Sequence, residues 1–478
     1  MTDAPTNLSL DPDNWDELRV QGHRMLDDMI DHIEKVRTRP LWQPIPQNIR
    51  TRMESPVPLR SSALDAVYAE FADVIAPYAA GNIHPGFMGW VQGGGTAVGM
   101  LAEMLAAGLN ANLGGRDHMP VGVELQIVAW MRELFGFPDT ATGLFVTGTS
   151  IANFIALLVA KTGTLGLESR STGMGNEAVK LRAYTSTAAH GCIAKACEIS
   201  GLGSNALRKI RVNQDYQIDA TALSQAIAQD RADGLRPFMV IGTAGTVDTG
   251  AIDDLTALAD ICARERVAFH VDGAYAALGM MSPVIAPRLA GVERADSIAF
   301  DFHKWAQVPY DAGFVLVRNG ALHRDTFASP AQYLQRAERG LAGGDYWPCD
   351  YGPDLSRGFR ALKTWFTLKT FGTERLGAMM AHTCALARYL EFRVRSEPAL
   401  ELLAPAQLNI VCFRRRGHQP DRLNNEVVVA LHEKGHSAPS TTVIHGCVAI
   451  RAAIFNHRTT RTDIDAMLKE IVEFTVLN

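Results

Sequence analysis

A chain of 478 residues in which 47% are hydrophobic can bury a large core, and its length predicts more than one domain. The net charge of −5 comes from interspersed acids and bases, with neither the basic block typical of nucleic-acid binding nor an apolar run of membrane-spanning length. The first residues lack a secretory signal pattern, which favours the cytoplasm, and seven scattered cysteines without a CxxC pair predict reduced thiols and no metal site.

The N-terminal region is predicted to be helical. Asp11 and Pro12 form a typical helix start, and apolar residues recur at helical spacing over 13–36. A second helix is predicted over 62–75, after a proline-rich break. Helices this short cannot bury their apolar faces alone, so we expect residues 1–95 to pack on something larger.

A glycine-rich stretch at 84–95 precedes a helix predicted over 96–109. It contains the aromatic residues Phe87 and Trp90. From the residues alone, this stretch is a loop, and ordinary packing explains both aromatic side chains as well as a binding role does.

An anion site is predicted near residue 149. The run 143–153 reads as a strand, a turn of small residues and the start of a helix. Free backbone N–H groups and the helix dipole point at such a turn, and the hydroxyls of Thr149 and Ser150 would add donors. A capped helix start without a ligand is the alternative.

The middle of the chain alternates strands with helices. Apolar runs predict strands at 144–147, 183–187, 238–242, 267–271 and 296–300. This alternation predicts an α/β fold in which helices cover both faces of a mostly parallel sheet. His190 follows the second of these strands, where a histidine is commonly a helix cap.

Two of these strands are followed or ended by residues whose side chains could take part in catalysis. Asp272 ends the strand at 267–271, and Lys304 follows the strand at 296–300. An α/β sheet collects ligand-binding residues at the carboxyl ends of its strands. A desolvated lysine amine that forms a Schiff base and a carboxylate for a pyridinium nitrogen are what pyridoxal phosphate requires. Two solvated strand ends would give the same pattern.

The context of Lys304 resembles a known family. Asp296-Ser297, then His303-Lys304-Trp305 and Asp311-Ala312-Gly313, are similar to the signature of the group II pyridoxal-phosphate decarboxylases, which act on aromatic amino acids, histidine or glutamate. The similarity runs from about His84 to Arg451. It implies a pyridoxal-phosphate transferase-like fold of type I. The implied parts are an N-terminal helical segment on the partner subunit (1–95), a cofactor domain (96–375) and a small C-terminal α+β domain (376–478).

The same resemblance implies roles for individual residues. Lys304 would hold pyridoxal phosphate, Asp272 would pair with its ring nitrogen, and His190 would stack on the ring opposite Ala274. Thr149 and Ser150 would hold the phosphate. Thr246, His303 and Asp301 would complete the cofactor site, while Phe87 and Trp90 would form a wall of the substrate pocket.

A catalytic tyrosine is expected on a loop. Residues 328–350 are polar and glycine-rich, as active-site loops often are. The resemblance assigns the tyrosine of that loop to Tyr333, with Tyr346 and Tyr351 as alternatives. Arg357, Arg360 and Arg451 could contact phosphate or substrate, and a structural ion pair is the alternative for the first two.

The resemblance implies a homodimeric enzyme that decarboxylates an L-amino acid to the amine and CO2. An aromatic substrate is favoured, because the similarity is greatest to the aromatic branch and no additional pocket arginine is evident for an acidic substrate. Two alternatives within this chemistry remain, oxidative deamination to an aldehyde and a non-aromatic substrate. A homologue without catalytic activity, acting as a binding subunit, is the alternative from another class.

Overall fold

The computed structural model describes residues 9–329 and 336–475. Within these residues, two β-sheets organise the chain, one of seven strands and one of five. In chain order, the strands are β1 (Phe87–Met88), β2 (Thr142–Val146), β3 (Leu181–Ser186), β4 (Leu207–Ile210), β5 (Arg236–Thr243), β6 (Ala268–Asp272), β7 (Ser297–Asp301), β8 (Gly313–Val317), β9 (Leu400–Ala404), β10 (Ile410–Arg415), β11 (Ala438–Ile444) and β12 (Cys447–Ala453).

The larger sheet has the strand order β2-β8-β7-β6-β5-β3-β4. Strands β3 to β7 pair in parallel, whereas β8 lies antiparallel to both of its neighbours, β2 and β7. Helices cover both faces, which confirms the predicted α/β fold. The edge strand β4 was not predicted, because only its first and last residues are buried and its run is too short and polar to stand out.

The α-helices surround these sheets. In chain order, they are α1 (Trp15–Glu34), α2 (Gln47–Arg52), α3 (Leu64–Glu70), α4 (Ala97–Leu109), α5 (Met119–Phe135), α6 (Thr149–Leu165), α7 (Ser169–Thr172), α8 (Cys192–Ile199), α9 (Ala220–Ala232), α10 (Leu255–Glu265), α11 (Gly320–Phe327), α12 (Arg360–Ser396), α13 (Pro420–Lys434) and α14 (Arg461–Glu473). No helix in the described residues is both long and apolar enough to cross a membrane.

The predicted start of the first helix at Asp11 and Pro12 is wrong. Helix α1 begins at Trp15, because the side chain of Asn14 accepts hydrogen bonds from the backbone N–H groups of Asp16 and Glu17. An amide oxygen in this position satisfies donors that the first helical turn leaves free. The sequence contains two competing helix starts, and the later one has the better cap.

The smaller sheet joins the two ends of the chain. Its order is β1-β11-β12-β10-β9, and β1 pairs in parallel with β11. The glycine-rich stretch at 84–95 is therefore attached to the C-terminal sheet. The domain limits expected from the sequence stay predictions, although the bend of α12 at Gly372 lies close to the expected boundary at 375.

Candidate active site

A cavity of about 400 Å³ lies where the carboxyl ends of β6 and β7 meet the turn between β2 and α6. Parallel strands of an α/β sheet present their ligand-binding residues at this edge. The cavity brings together most of the residues singled out in the sequence. Those that line it are Trp90, Thr149, Ser150, His190, Asp272, Ala274, Asp301, His303 and Lys304.

Lys304 forms an ion pair at the floor of the cavity. Its Nζ lies 2.8 Å from Oδ2 of Asp301, whose side chain is only 3% exposed. The other oxygen of Asp301 accepts a hydrogen bond of 2.8 Å from the backbone N–H of Thr149, the first residue of α6. The carboxylate therefore connects the lysine to the helix start. Because it has the same charge as a phosphate, this position favours a role as partner of the lysine over direct contact with phosphate.

The turn between β2 and α6 fits a phosphate group. Helix α6 begins directly after Gly148, so Thr149 and Ser150 of its first turn line the cavity at the positive end of the helix dipole. The buried hydroxyl of Thr149 has no hydrogen-bond partner among the described residues. A buried donor without a partner is costly, so this orphaned hydroxyl is consistent with a ligand oxygen beside it.

Asp272 ends β6 and is 2% exposed. Burial raises the pKa of its carboxyl, and the neighbouring Lys304 opposes that shift. Two hydrogen bonds also favour the charged form, one of 3.2 Å from the backbone N–H of Ala274 and one of 3.1 Å from Nδ2 of Asn153. A carboxylate held in this way can pair with a protonated ring nitrogen.

His190 is both a helix cap and a cavity residue. Its Nδ1 accepts a hydrogen bond of 3.2 Å from the backbone N–H of Cys192, where α8 begins. Because Nδ1 accepts this bond, the ring proton lies on Nε2, which leaves that nitrogen as a donor. The two interpretations of His190 in the sequence are compatible.

His303 is held by the residue that directly precedes β8. Its Nδ1 accepts from the backbone N–H of Ala312 at 3.0 Å, and burial lowers its pKa. The ring of Tyr310 packs against His303 with centroids 4.3 Å apart and also lines the cavity. Tyr310 was not predicted from the sequence, where its position as an aromatic residue six positions after the lysine was the available signal.

Two predicted site residues are not among those that line the cavity. The ring of Phe87 is 4% exposed and packs with Leu41 and Ala438, because β1 belongs to the C-terminal sheet. Thr246 is 1% exposed, and its hydroxyl accepts a hydrogen bond from the backbone N–H of Ala251. Their positions do not support the substrate and cofactor roles assigned to them.

The assignment of the tyrosine expected on the loop at 328–350 stays a prediction. Tyr333 lies outside the described residues. The hydroxyl of Tyr346 donates to the carbonyl of Gly143 at 2.9 Å, and its ring stacks on Tyr351. Neither of these two alternatives lines the cavity.

The three arginines have structural contacts. Arg357 forms an ion pair with Glu124 at 2.6 Å, and both side chains are 1% exposed. Arg360 pairs with Asp311 at 2.8 Å. The guanidinium of Arg451, which is not among the residues that line the cavity, donates to the carbonyls of Gly89 and Val247. The ion-pair interpretation therefore holds for the first two.

A lysine, a buried aspartate and an anion turn around one cavity define a pyridoxal-phosphate site on an α/β fold. Comparison with known proteins agrees with this class. The sequence profile of the pyridoxal-dependent decarboxylase conserved domain matches residues 46–416. The chain belongs to the pyridoxal-dependent decarboxylases, and it is a carboxy-lyase that uses pyridoxal phosphate.

Individual relatives cover nearly the whole chain. An aromatic-L-amino-acid decarboxylase of Bacillus atrophaeus is 32% identical over 95% of this chain and 95% of the relative. Histidine decarboxylase of Rattus norvegicus is 29% identical over 95% of this chain and 70% of its own length. The glutamate decarboxylase domain of a diaminobutyrate-pyruvate transaminase and L-2,4-diaminobutyrate decarboxylase from Vibrio parahaemolyticus has a solved structure with a TM-score of 0.85. It is 26% identical, covering 96% of this chain and 95% of that one.

Proposed function

We propose that this enzyme decarboxylates an aromatic L-amino acid to the corresponding amine and CO2. The observation that carries the proposal is the composition of the cavity. Trp90 and Tyr310 supply aromatic surface, and Val91 and Val247 supply aliphatic surface. Flat apolar walls of this kind suit an aromatic side chain.

The charges of the cavity argue against an acidic substrate. Among the described residues that line it, Lys304 is the only lysine or arginine, and it is already paired with Asp301. A second carboxylate on the substrate would therefore be buried without a cation, which costs several kcal/mol. A neutral side chain avoids that cost.

The roles of the chain's residues follow from the geometry. When bound, pyridoxal phosphate supplies an electron-withdrawing ring that accepts the electron pair left by departing CO2. Lys304 would hold the cofactor through its amine, and the first turn of α6 would hold the phosphate. Asp272 would keep the ring nitrogen protonated, because a buried carboxylate forms a charge-assisted hydrogen bond with it.

Two residues are proposed to handle the substrate. His190 has its Nε2–H free to donate toward the substrate carboxylate, since Nδ1 is occupied by the start of α8. Tyr333 is proposed to return a proton to the α-carbon, as a positioned general acid. Together they favour release of an amine over formation of an aldehyde.

The active form is proposed to be a homodimer. Helices α1, α3 and α4 expose large apolar side chains, and an exposed face of this kind marks an interaction surface. These side chains include Trp15, Val20, Val67, Met104 and Leu109. A second copy packed on α1, α3 and α4 would cover them. Light scattering of the purified protein measures the mass directly, and a monomer at micromolar concentration would contradict this proposal.

The test of function is an end-point assay of purified protein with added cofactor against the amino acids, in which CO2, amine, aldehyde and peroxide are measured together. We expect CO2 and an equal amount of amine from tyrosine, phenylalanine, tryptophan or a hydroxylated relative. Aldehyde with peroxide would contradict the proposed product. CO2 from histidine or diaminobutyrate alone would contradict the proposed substrate.

Two variants make the assay specific. Lys304→Ala is expected to abolish turnover and the visible absorbance of the bound cofactor while the protein stays folded. Tyr333→Phe is expected to lower amine formation and shift product toward aldehyde. Full turnover by Lys304→Ala would overturn the mechanism.

A further inference from the structure

A chain of buried polar side chains leads away from Asp272 into the core. Asn153 on α6 donates from Nδ2 to Oδ2 of Asp272 at 3.1 Å. Oδ1 of Asn153 lies 2.7 Å from Nε2 of His270, and Nδ1 of His270 lies 2.8 Å from the hydroxyl of Ser297. All four side chains are 5% exposed or less.

The fold places these residues together. His270 and Asp272 are two positions apart on β6, so both point to the same face of the sheet, where α6 packs. Ser297 on β7 is the register partner of His270. None of the three residues beyond Asp272 lines the cavity. Contact with a substrate therefore does not explain them.

The donor and the acceptor of each hydrogen bond in this series of side chains can be assigned in turn, starting from Asp272. A carboxylate only accepts hydrogen bonds, so the amide of Asn153 must turn its NH2 group to Asp272 and its oxygen to His270. His270 then donates from Nε2. Burial lowers the pKa of His270 to about 3, so the ring carries a single proton. Its Nδ1 is consequently an acceptor, and the hydroxyl of Ser297 donates to it.

Every hydrogen bond in the series therefore points the same way. Ser297 donates to His270, His270 donates to Asn153, and Asn153 donates to Asp272. Hydrogen bonds in series polarise one another, which strengthens the last donor in the chain. That donor stabilises the charged form of a carboxylate whose burial favours the neutral form.

We propose that Ser297, His270 and Asn153 are positioning residues that keep the proton on the cofactor's ring nitrogen rather than on Asp272. The inference rests on the cofactor assignment made above for Lys304 and Asp272. A weaker donor to Asp272 makes this carboxylate more basic, so the shared proton moves from the ring nitrogen to the aspartate.

The test measures the protonation of the ring nitrogen directly. The protein is loaded with pyridoxal phosphate labelled with 15N in the ring, and solid-state 15N NMR measures the protonated fraction. Loss of a hydrogen bond to a charged group is worth about one to two pKa units, which changes the ratio of protonated to neutral nitrogen about 10- to 100-fold. We expect this change in Asn153→Leu, and a smaller change in the same direction in Ser297→Ala.

A matched control separates this effect from damage to the core. Asn409 is also completely buried and donates to a backbone carbonyl at 2.9 Å, away from the cavity. Asn409→Leu is expected to lower the unfolding temperature and leave the 15N signal as in the wild type. Ser297→Ala removes a single hydroxyl and serves if Asn153→Leu does not fold.

The outcomes distinguish two kinds of failure. If the wild type takes up no labelled cofactor, the cofactor assignment to Lys304 fails. If the wild type has a protonated ring nitrogen and Ser297→Ala and Asn153→Leu have the same one, the cofactor assignment stands and the positioning role is overturned. A shift of equal size in Asn409→Leu would also overturn it.

Discussion

Breaking the buried ion pair between Glu124 and Arg357 is expected to destabilise the protein strongly. Both side chains are 1% exposed. The guanidinium donates to both carboxylate oxygens, at 2.6 and 3.1 Å, and to the carbonyls of Leu113 and Phe145. The carboxylate also accepts from the backbone N–H of Phe145. Removing either charge leaves the other buried without its partner.

The expected magnitude follows from that geometry. Removal of one partner of a buried pair costs about 3–5 kcal/mol, whereas neutral replacement of both is often tolerated. Arg357→Met and Glu124→Gln should therefore each be strongly destabilising. The double variant should cost no more than the worse single one. If the residues acted independently, the costs would add to roughly 6–10 kcal/mol.

Thermal unfolding of the three variants and the wild type provides the assay. At about 2–4 °C per kcal/mol for a domain of 150–250 residues, each single substitution should lower the unfolding temperature by roughly 6–20 °C. Additive losses in the double variant, or a single loss below about 1 kcal/mol, would refute the reasoning. Because Phe145 precedes the anion turn by two residues, the single variants should also bind the cofactor more weakly.

Three further predictions concern individual side chains. Asp301→Asn removes a negative charge beside the anion turn. It should tighten pyridoxal-phosphate binding to cofactor-free protein about three- to tenfold in a fluorescence titration. Weaker binding would contradict a repulsion between the Asp301 carboxylate and the phosphate. Tyr310→Ala should raise KM for an aromatic substrate about three- to tenfold, since aromatic contacts are worth about 0.5–1.5 kcal/mol. The KM of Tyr310→Phe should stay near that of the wild type. An equal increase in KM in both variants would implicate the hydroxyl instead of the ring. Burial lowers the pKa of His323 from 6.5 to about 3, so below pH 6.5 the unfolded chain takes up a proton that the folded chain does not. Stability should therefore fall by about 1.4 kcal/mol between pH 7.5 and 5.5 from this group alone, and His323→Gln should lose correspondingly less over that interval; parallel pH profiles of unfolding temperature would contradict this.

The site residues that lie next to a recognisable strand in the sequence could be predicted from the sequence alone. Asp272 ends an apolar strand, Lys304 lies three residues after another, and Thr149 follows a strand at a turn of small residues. In each case the strand and its chemical group are adjacent in the chain. The period of the pattern places that group at the sheet edge without knowledge of which strands pair.

Residues whose roles depend on distant contacts could not be predicted in this way. Arg357 meets Glu124 across 233 positions of sequence, so the sequence left a phosphate contact and an ion pair open. His270 lies inside an apolar strand, where a histidine looks like packing until β7 places Ser297 beside it. Phe87 was assigned to the pocket because nothing in the neighbouring sequence shows that Phe87 and Met88 pair with β11 of the C-terminal sheet.

The pairing of β1 with β11 has a consequence for the order in which the enzyme matures. Trp90 and Gln92 line the cavity just after β1. Gly93 lies so close to the backbone of Lys304 that an added Cβ would come within 2.4 Å of its carbonyl oxygen. Yet β11, the strand that holds β1 and the cavity-lining residues after it in place, is made about 350 residues later. During synthesis, domains form as their residues emerge from the ribosome. The pocket can therefore close around its cofactor only after β11 has been made, so a chain that terminates before residue 438 would not retain it.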